Sequence, residues 1–156
     1  MGVMPIEFMN LVDGEDWLPA SLTVDSPNYH WAAGGTLADA PVDVAATFAD
    51  KMWYTTKVQP GFKMNIVRCA PNFMVPRHHH SLREMIVVLG GELLIEYDGE
   101  EKGQEMRLRA GQFSTSDAFT PHTMTAGPEG ATYFETFSGP MDELEIWWYS
   151  EGWVAR

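Results

Sequence analysis

A chain of 156 residues has room for one domain with a full core. Its net charge of −12, from 22 acidic against 10 basic residues with no basic stripe, excludes nucleic acid and anionic membrane as expected partners. The same charge gives no help in attracting anions, so the expected ligand is a neutral or weakly acidic small molecule.

No apolar run is long enough to cross a bilayer, and MGVMPIEFMN lacks the basic start and apolar segment of a secretory signal. The single cysteine, Cys69, cannot form an internal disulfide and fits a reducing compartment. The expected location is cytoplasmic. In chain order, residues 1–53 are expected to form an extension packed on the main domain, 54–156. DSPNYHWAAGG (25–35) reads as turns and short strands. In VDVAATFADKM (42–52), Val44, Phe48 and Met52 recur every four positions, which predicts a short helix.

From Tyr54 the texture is short β-rich runs: KMNIVRCA (63–70), EMIVVL (84–89), ELLIEY (92–97), EMRLRA (105–110), TYFETF (132–137) and LEIWWY (144–149). Each is cut from the next by Gly or Pro, the pattern of an all-β sandwich or barrel. Gly90-Gly91 and Asp98-Gly99 are expected as tight hairpin turns.

RHHHSLRE (77–84) carries the chemistry. Pro76 argues against a helix there, and on an extended segment residues two apart share a face. His78 and His80 therefore point one way and His79 the other, with Glu84 of the same parity four residues after His80. His122 follows in TPHTM. Two neighbouring imidazoles, a carboxylate and a distant imidazole make a ligand set for a first-row transition metal. His30, without carboxylate or cysteine company, and His79 read as surface residues.

The stretch resembles the first motif of the cupin superfamily, H-x-H, three residues, Glu and then Gly, here His78, His80, Glu84 and Gly90 or Gly91. The second cupin motif reaches its histidine eleven positions after a Gly, the spacing of Gly111 and His122. The resemblance covers about residues 60 to 140. It implies a single jelly-roll β-barrel that holds a metal on His78, His80 and His122, with Glu84 either a fourth ligand or a neighbour of the site. The family's leading Gly is Asn72 here, its second-motif Pro and Gly fall on Asp117 and Phe119, and its trailing Asn falls on Ala126. Those family residues shape turns, so the departures bear on loop geometry more than on ligands.

Such a ligand set suits Fe(II) first, with Mn, Ni or Zn as alternatives. Open metal positions accept a bidentate oxygen ligand, and several similar cupins are dioxygenases. The expected activity is therefore Fe(II)- and O2-dependent cleavage of a small diketone, hydroxy ketone or aromatic compound. The alternatives are a non-redox lyase, isomerase or epimerase, in which Glu84 or Tyr97 moves a proton, and a sensor without turnover. Parity points Ile86, Val88 and Met124 inward, and Phe73, Phe119, Phe134 and Trp148 are further candidates for the substrate pocket. Arg68, Arg77 and Arg83 are read as solvated. The aromatic C-terminal run EIWWYSEGWVAR predicts a homodimer, with a terminal arm folded back on its own chain as the alternative.

Overall fold

The computed structural model describes residues 11, 16–55 and 63–153, so the first ten residues, including the N-terminal stretch read above, lie outside it. Ten strands make up one curled sheet among the described residues: β1 (Trp17–Pro19), β2 (Tyr29–Trp31), β3 (Met52–Thr55), β4 (Met64–Cys69), β5 (Met74–His80), β6 (Glu84–Tyr97), β7 (Gln104–Arg109), β8 (Phe113–Ser116), β9 (His122–Phe137) and β10 (Ile146–Trp148). The fold is all-β, of jelly-roll type.

Two long antiparallel strands, β6 and β9, organise the barrel. Their ladder runs from Glu84 opposite Phe137 to Tyr97 opposite His122. β8 and β7 continue the sheet beyond β6, and β5 and β4 continue it beyond β9. A straight strand of this length would span about 43 Å at the usual rise. Yet Glu84, at one end of the ladder, lies 3.7 Å from His122 at the other. The ladder must fold back on itself, and two glycine-rich breaks allow it.

Gly90 and Gly91 sit at one break, so they do not form the expected hairpin. The chain bends there and continues as β6, with register shifts on either side of them. Opposite them β9 carries its own bulge: Leu93 pairs with Ala126, but Gly91 already pairs with Ala131. Gly91 has φ +68, and a Cβ there would meet the Gly130 carbonyl oxygen at 2.1 Å. Any side chain is blocked by both conformation and contact. Gly91→Ala is expected to cost about 2–4 kcal/mol in denaturant unfolding, and a loss below about 0.5 kcal/mol would contradict this account of the fold-back. Asp98-Gly99 likewise opens a longer loop rather than a two-residue turn. The Asp98 carboxylate accepts from Gly103 N at 3.0 Å and closes it.

Pro76 lies inside β5 and donates no backbone hydrogen bond, and the β5–β9 register shifts between Val75 and His78. Beyond the shift His78 stands opposite His122 on one side and Trp148 on the other. The helix expected over 42–52 is a short α1 (Val44–Phe48), capped by Asp43, whose carboxylate accepts from Ala46 N at 3.1 Å.

The division drawn at residue 53 falls inside β3, and the sheet runs through it. The preceding segment supplies two of the outer strands: β1 pairs with β3, and β2 pairs in parallel with β10. β10 thus has β5 on one side and β2 on the other, so the aromatic C-terminal strand is partnered within its own chain.

Candidate metal centre

From Pro76 onward β5 alternates as expected: Pro76, His78 and His80 are buried, while Arg77 and His79 are half-buried. The His79 ring stacks on Trp147 at 5.0 Å between centroids and hydrogen-bonds the Tyr149 hydroxyl at 2.8 Å. His30 stacks on Trp147 at 4.9 Å and meets Glu145 at 3.3 Å. Both belong to the outer face.

Inside, the ring centroids of His78 and His122 lie 4.4 Å apart, and those of His78 and His80 4.9 Å apart. One nitrogen from each of His78, His80 and His122 lies within 4.8 Å of the others. Nδ1 of His78 meets the Pro76 carbonyl at 2.7 Å, and Nδ1 of His122 meets the Thr120 carbonyl at 2.8 Å. A carbonyl only accepts, so these bonds put the proton on Nδ1 and leave Nε2 as a free lone pair. His122 Nε2 is buried without a hydrogen-bond partner, as a nitrogen reserved for a cation would be. The residues fit a divalent transition metal, and among the described residues this is the group able to hold one.

Burial sets the charge state. It holds His78 and His80 well below the usual imidazole range, and neighbouring imidazoles push the same way. It brings His122 down to about 4. A lowered imidazole pKa means that protons compete with a metal only at more acidic pH. Metal affinity is expected to stay nearly level between about pH 7 and about pH 5, where exposed histidines would already be losing it. Calorimetric titration at several pH values tests this, and a steep loss near pH 6 would contradict it.

Glu84 opens β6 as a buried carboxyl, with Oε2 3.6 Å from His80 Nδ1 and 3.7 Å from His122 Nε2. It interacts with the buried carboxyl of Glu135 on β9, which sequence reasoning missed. Burial raises the pKa of both, and the Glu135 charge pushes Glu84 well above the carboxylate range. Glu135 is also held by Asn65 Nδ2, which donates to its Oε1 at 3.3 Å. Two buried carboxyls in this position share a proton.

The reason Glu135 was missed is a change of parity. On β9, His122, Met124 and Ala126 are buried, but beyond the bulge the buried residues are Ala131, Tyr133, Glu135 and Phe137. Counting in twos from His122 arrives at Phe134, which is only half-buried and faces the other way. β6 switches likewise, from Glu84, Ile86 and Val88 to Leu93 and Ile95.

The cluster stands between two cavities. One, of about 230 Å³, is lined by Glu84, Ile86, Ile95, Tyr97, Met106 and His122, with Ser114, Ser116 and Thr120 at its rim. The other, of about 180 Å³, is lined by His78, His80, Met124, Tyr133, Glu135 and Trp148, with Tyr29 from β2 and Tyr54 from β3. Of the pocket residues expected from the sequence, Ile86 lines the first, and Met124 and Trp148 the second. Tyr97 lines the first cavity together with Glu84. Phe73 and Val88 are buried in the core and line neither. Phe119 is 59% exposed and packs against His79 and Trp147 on the outer face. None of the three arginines lines a cavity: Arg77 pairs with Asp98 and Glu151, Arg83 with Asp117, and Arg68 lies over the Trp17 ring. Burial pushes the Cys69 thiol up to about 12, so it is neither a thiolate ligand nor a nucleophile.

Comparison with known proteins agrees with this geometry. Residues 65–137 match the model of the cupin domain. The fold is similar to vicilin from Corylus avellana (hazelnut), with a TM-score of 0.52 and 19% identity over 62% of this chain and 31% of that one. It is also similar to the chain in the structures of the DMSP lyases RdDddP and RnDddQII, with a TM-score of 0.51 and 16% identity over 61% of this chain and 51% of that one. The Drosophila melanogaster CENP-C cupin domain gives a TM-score of 0.51 and 20% identity over 58% of this chain and 71% of that one. The chain therefore spans about a third of the vicilin and half of the lyase chain. No curated protein is significantly similar in sequence. The span that matches the cupin domain, residues 65–137, carries all three inward histidines, His78, His80 and His122.

Proposed function

We propose that the protein is a metal-dependent enzyme that chelates a small, enolisable carbonyl compound at His78, His80 and His122 and removes its proton with Glu84. The observation that carries this reading is the convergence of three neutral imidazoles, two of them with Nε2 left free, beside a buried carboxyl with a raised pKa. A divalent ion there would supply Lewis acidity toward two substrate oxygens, and iron(II) would also activate dioxygen, which the substrate itself reduces as its C–C bond is cleaved.

The chain's own residues do the rest. Pro76 and Thr120 carbonyls hold two imidazoles in the ligating tautomer. Glu84 lies within reach of a proton on a molecule bound beside His80 and His122, and it can accept that proton when the one the pair holds rests on Glu135. Ile86, Ile95 and Met106 give the larger cavity apolar walls that exclude water from the reacting carbon.

A specific observation favours a second reading, that of a lyase or isomerase. The Glu84–Glu135 pair can store a proton and return it to substrate without any redox step. Oxygen uptake separates the two. Protein loaded anaerobically with Fe(II) should consume O2 with at least one member of a panel of diketones, hydroxy ketones and catechols. No uptake, together with full activity of the Zn form in elimination or isomerisation, would overturn the dioxygenase reading. A cytoplasmic enzyme of this kind needs no macromolecular partner. A homodimer would use the outer face around Trp147 and Phe119, because β10 has no free edge.

A further inference from the structure

The smaller cavity holds a set of polar groups that the proposed chemistry at Glu84 does not use. Most of them satisfy one another. Asn65 donates to Glu135 at 3.3 Å, and the Tyr29 and Tyr54 hydroxyls hydrogen-bond each other. Two do not. Trp148 Nε1 and the Tyr133 hydroxyl find no nitrogen or oxygen partner among the described residues, although the side chains are 3% and 0% exposed. Both residues line the chamber that His78 and His80 also line, and the Trp148 ring lies 4.6 Å from that of His78. An indole N–H only donates, and leaving it dry and unpaired is costly. The Tyr133 hydroxyl meets only the buried Cys69 thiol, so the chamber has one wholly open donor, Trp148 Nε1, a second held only by sulfur, and no lysine or arginine in its lining.

We infer that Trp148 and Tyr133 select the substrate. They bind a neutral oxygen acceptor, a hydroxyl or carbonyl, on the part of the molecule away from its chelating oxygens. The ligand class is a short, uncharged polyoxygenated ketone. The chamber, of about 180 Å³, suits the small distal end of such a molecule, whose reacting carbon faces Glu84 on the other side of the cluster. A distal carboxylate or phosphate would find donors there but no counter-charge, with the Glu135 carboxyl close by. This inference rests on the chelation reading above and adds to it the residues that choose among chelators.

The test uses Co(II)-loaded full-length protein, titrated with hydroxyacetone, 1,3-dihydroxyacetone and dihydroxyacetone phosphate and followed by the visible absorption of cobalt. All three offer the same chelating pair, and only the far end differs. Dihydroxyacetone should bind about tenfold more tightly than hydroxyacetone, the worth of one or two neutral hydrogen bonds. The phosphate should bind more weakly than either. In Trp148→Phe and Tyr133→Phe, which keep the rings, Co(II) uptake should be unchanged and the preference for dihydroxyacetone should fall to about twofold or less. Equal binding of hydroxyacetone and dihydroxyacetone by the unmodified protein would overturn the inference and leave chelation standing. So would a preference that survives both substitutions, or tight binding of the phosphate. A cobalt spectrum unmoved by all three compounds would overturn the chelation reading as well.

Discussion

Replacing His78, His80 or His122 with alanine is expected to weaken metal binding by more than about a hundredfold and to abolish turnover, while His79→Ala leaves both unchanged. Removing a ligand should exceed the 10–100-fold usually lost when a ligand's outer hydrogen-bond partner is removed. The contrast with His79 is the informative part, because all four residues carry the same side chain and three are consecutive. His79 differs only in facing outward, where it stacks on Trp147 and bonds Tyr149. Metal content after dialysis against a weak chelator, with circular dichroism as a check on folding, measures the effect. An empty site in His79→Ala, or a full one in His122→Ala, would contradict the assignment.

The second large effect is expected at Glu84. Glu84→Gln keeps the shape of the side chain but cannot accept a proton. Exchange of the carbon-bound hydrogens of hydroxyacetone for deuterium, followed by NMR, should slow by about 10²–10⁴-fold. Metal affinity should fall far less than in the histidine variants, because three imidazoles remain. This assay needs no oxygen, so it tests Glu84 as the base whichever way the reaction continues. Exchange at the unmodified rate would remove Glu84 from the mechanism.

The metal centre was legible in the sequence because its code is local. His78 and His80 are two apart on one strand, and strand parity alone separates them from His79. His122 needed the fold, and the spacing from Gly111 pointed to it. The strands themselves were mostly visible, since β4, β7 and both halves of β6 follow their β-rich runs. Their joins were not. Gly90-Gly91 has the composition of a hairpin turn, and only the β9 bulge opposite shows that the strand bends and continues. That bulge flips the side-chain parity, so Tyr133 and Glu135 face inside and Phe134, a pocket candidate from the sequence, does not. Phe119 was misplaced for a related reason: it lies in a loop, at φ +62, where no parity applies. The role of the N-terminal segment was also invisible, because three-residue strands such as β1 and β2 carry too little pattern to read.

A divalent metal is expected in the three-histidine cluster on the inner face of the sheet. Anomalous diffraction from a crystal of Co(II)-loaded protein, recorded on both sides of the cobalt edge, tests it most directly. The account predicts one strong peak about 2.1 Å from a ring nitrogen of each of His78, His80 and His122, Nε2 in the case of His78 and His122. A cluster with no peak, or with its ion bound instead through His79 on the outer face, would contradict it.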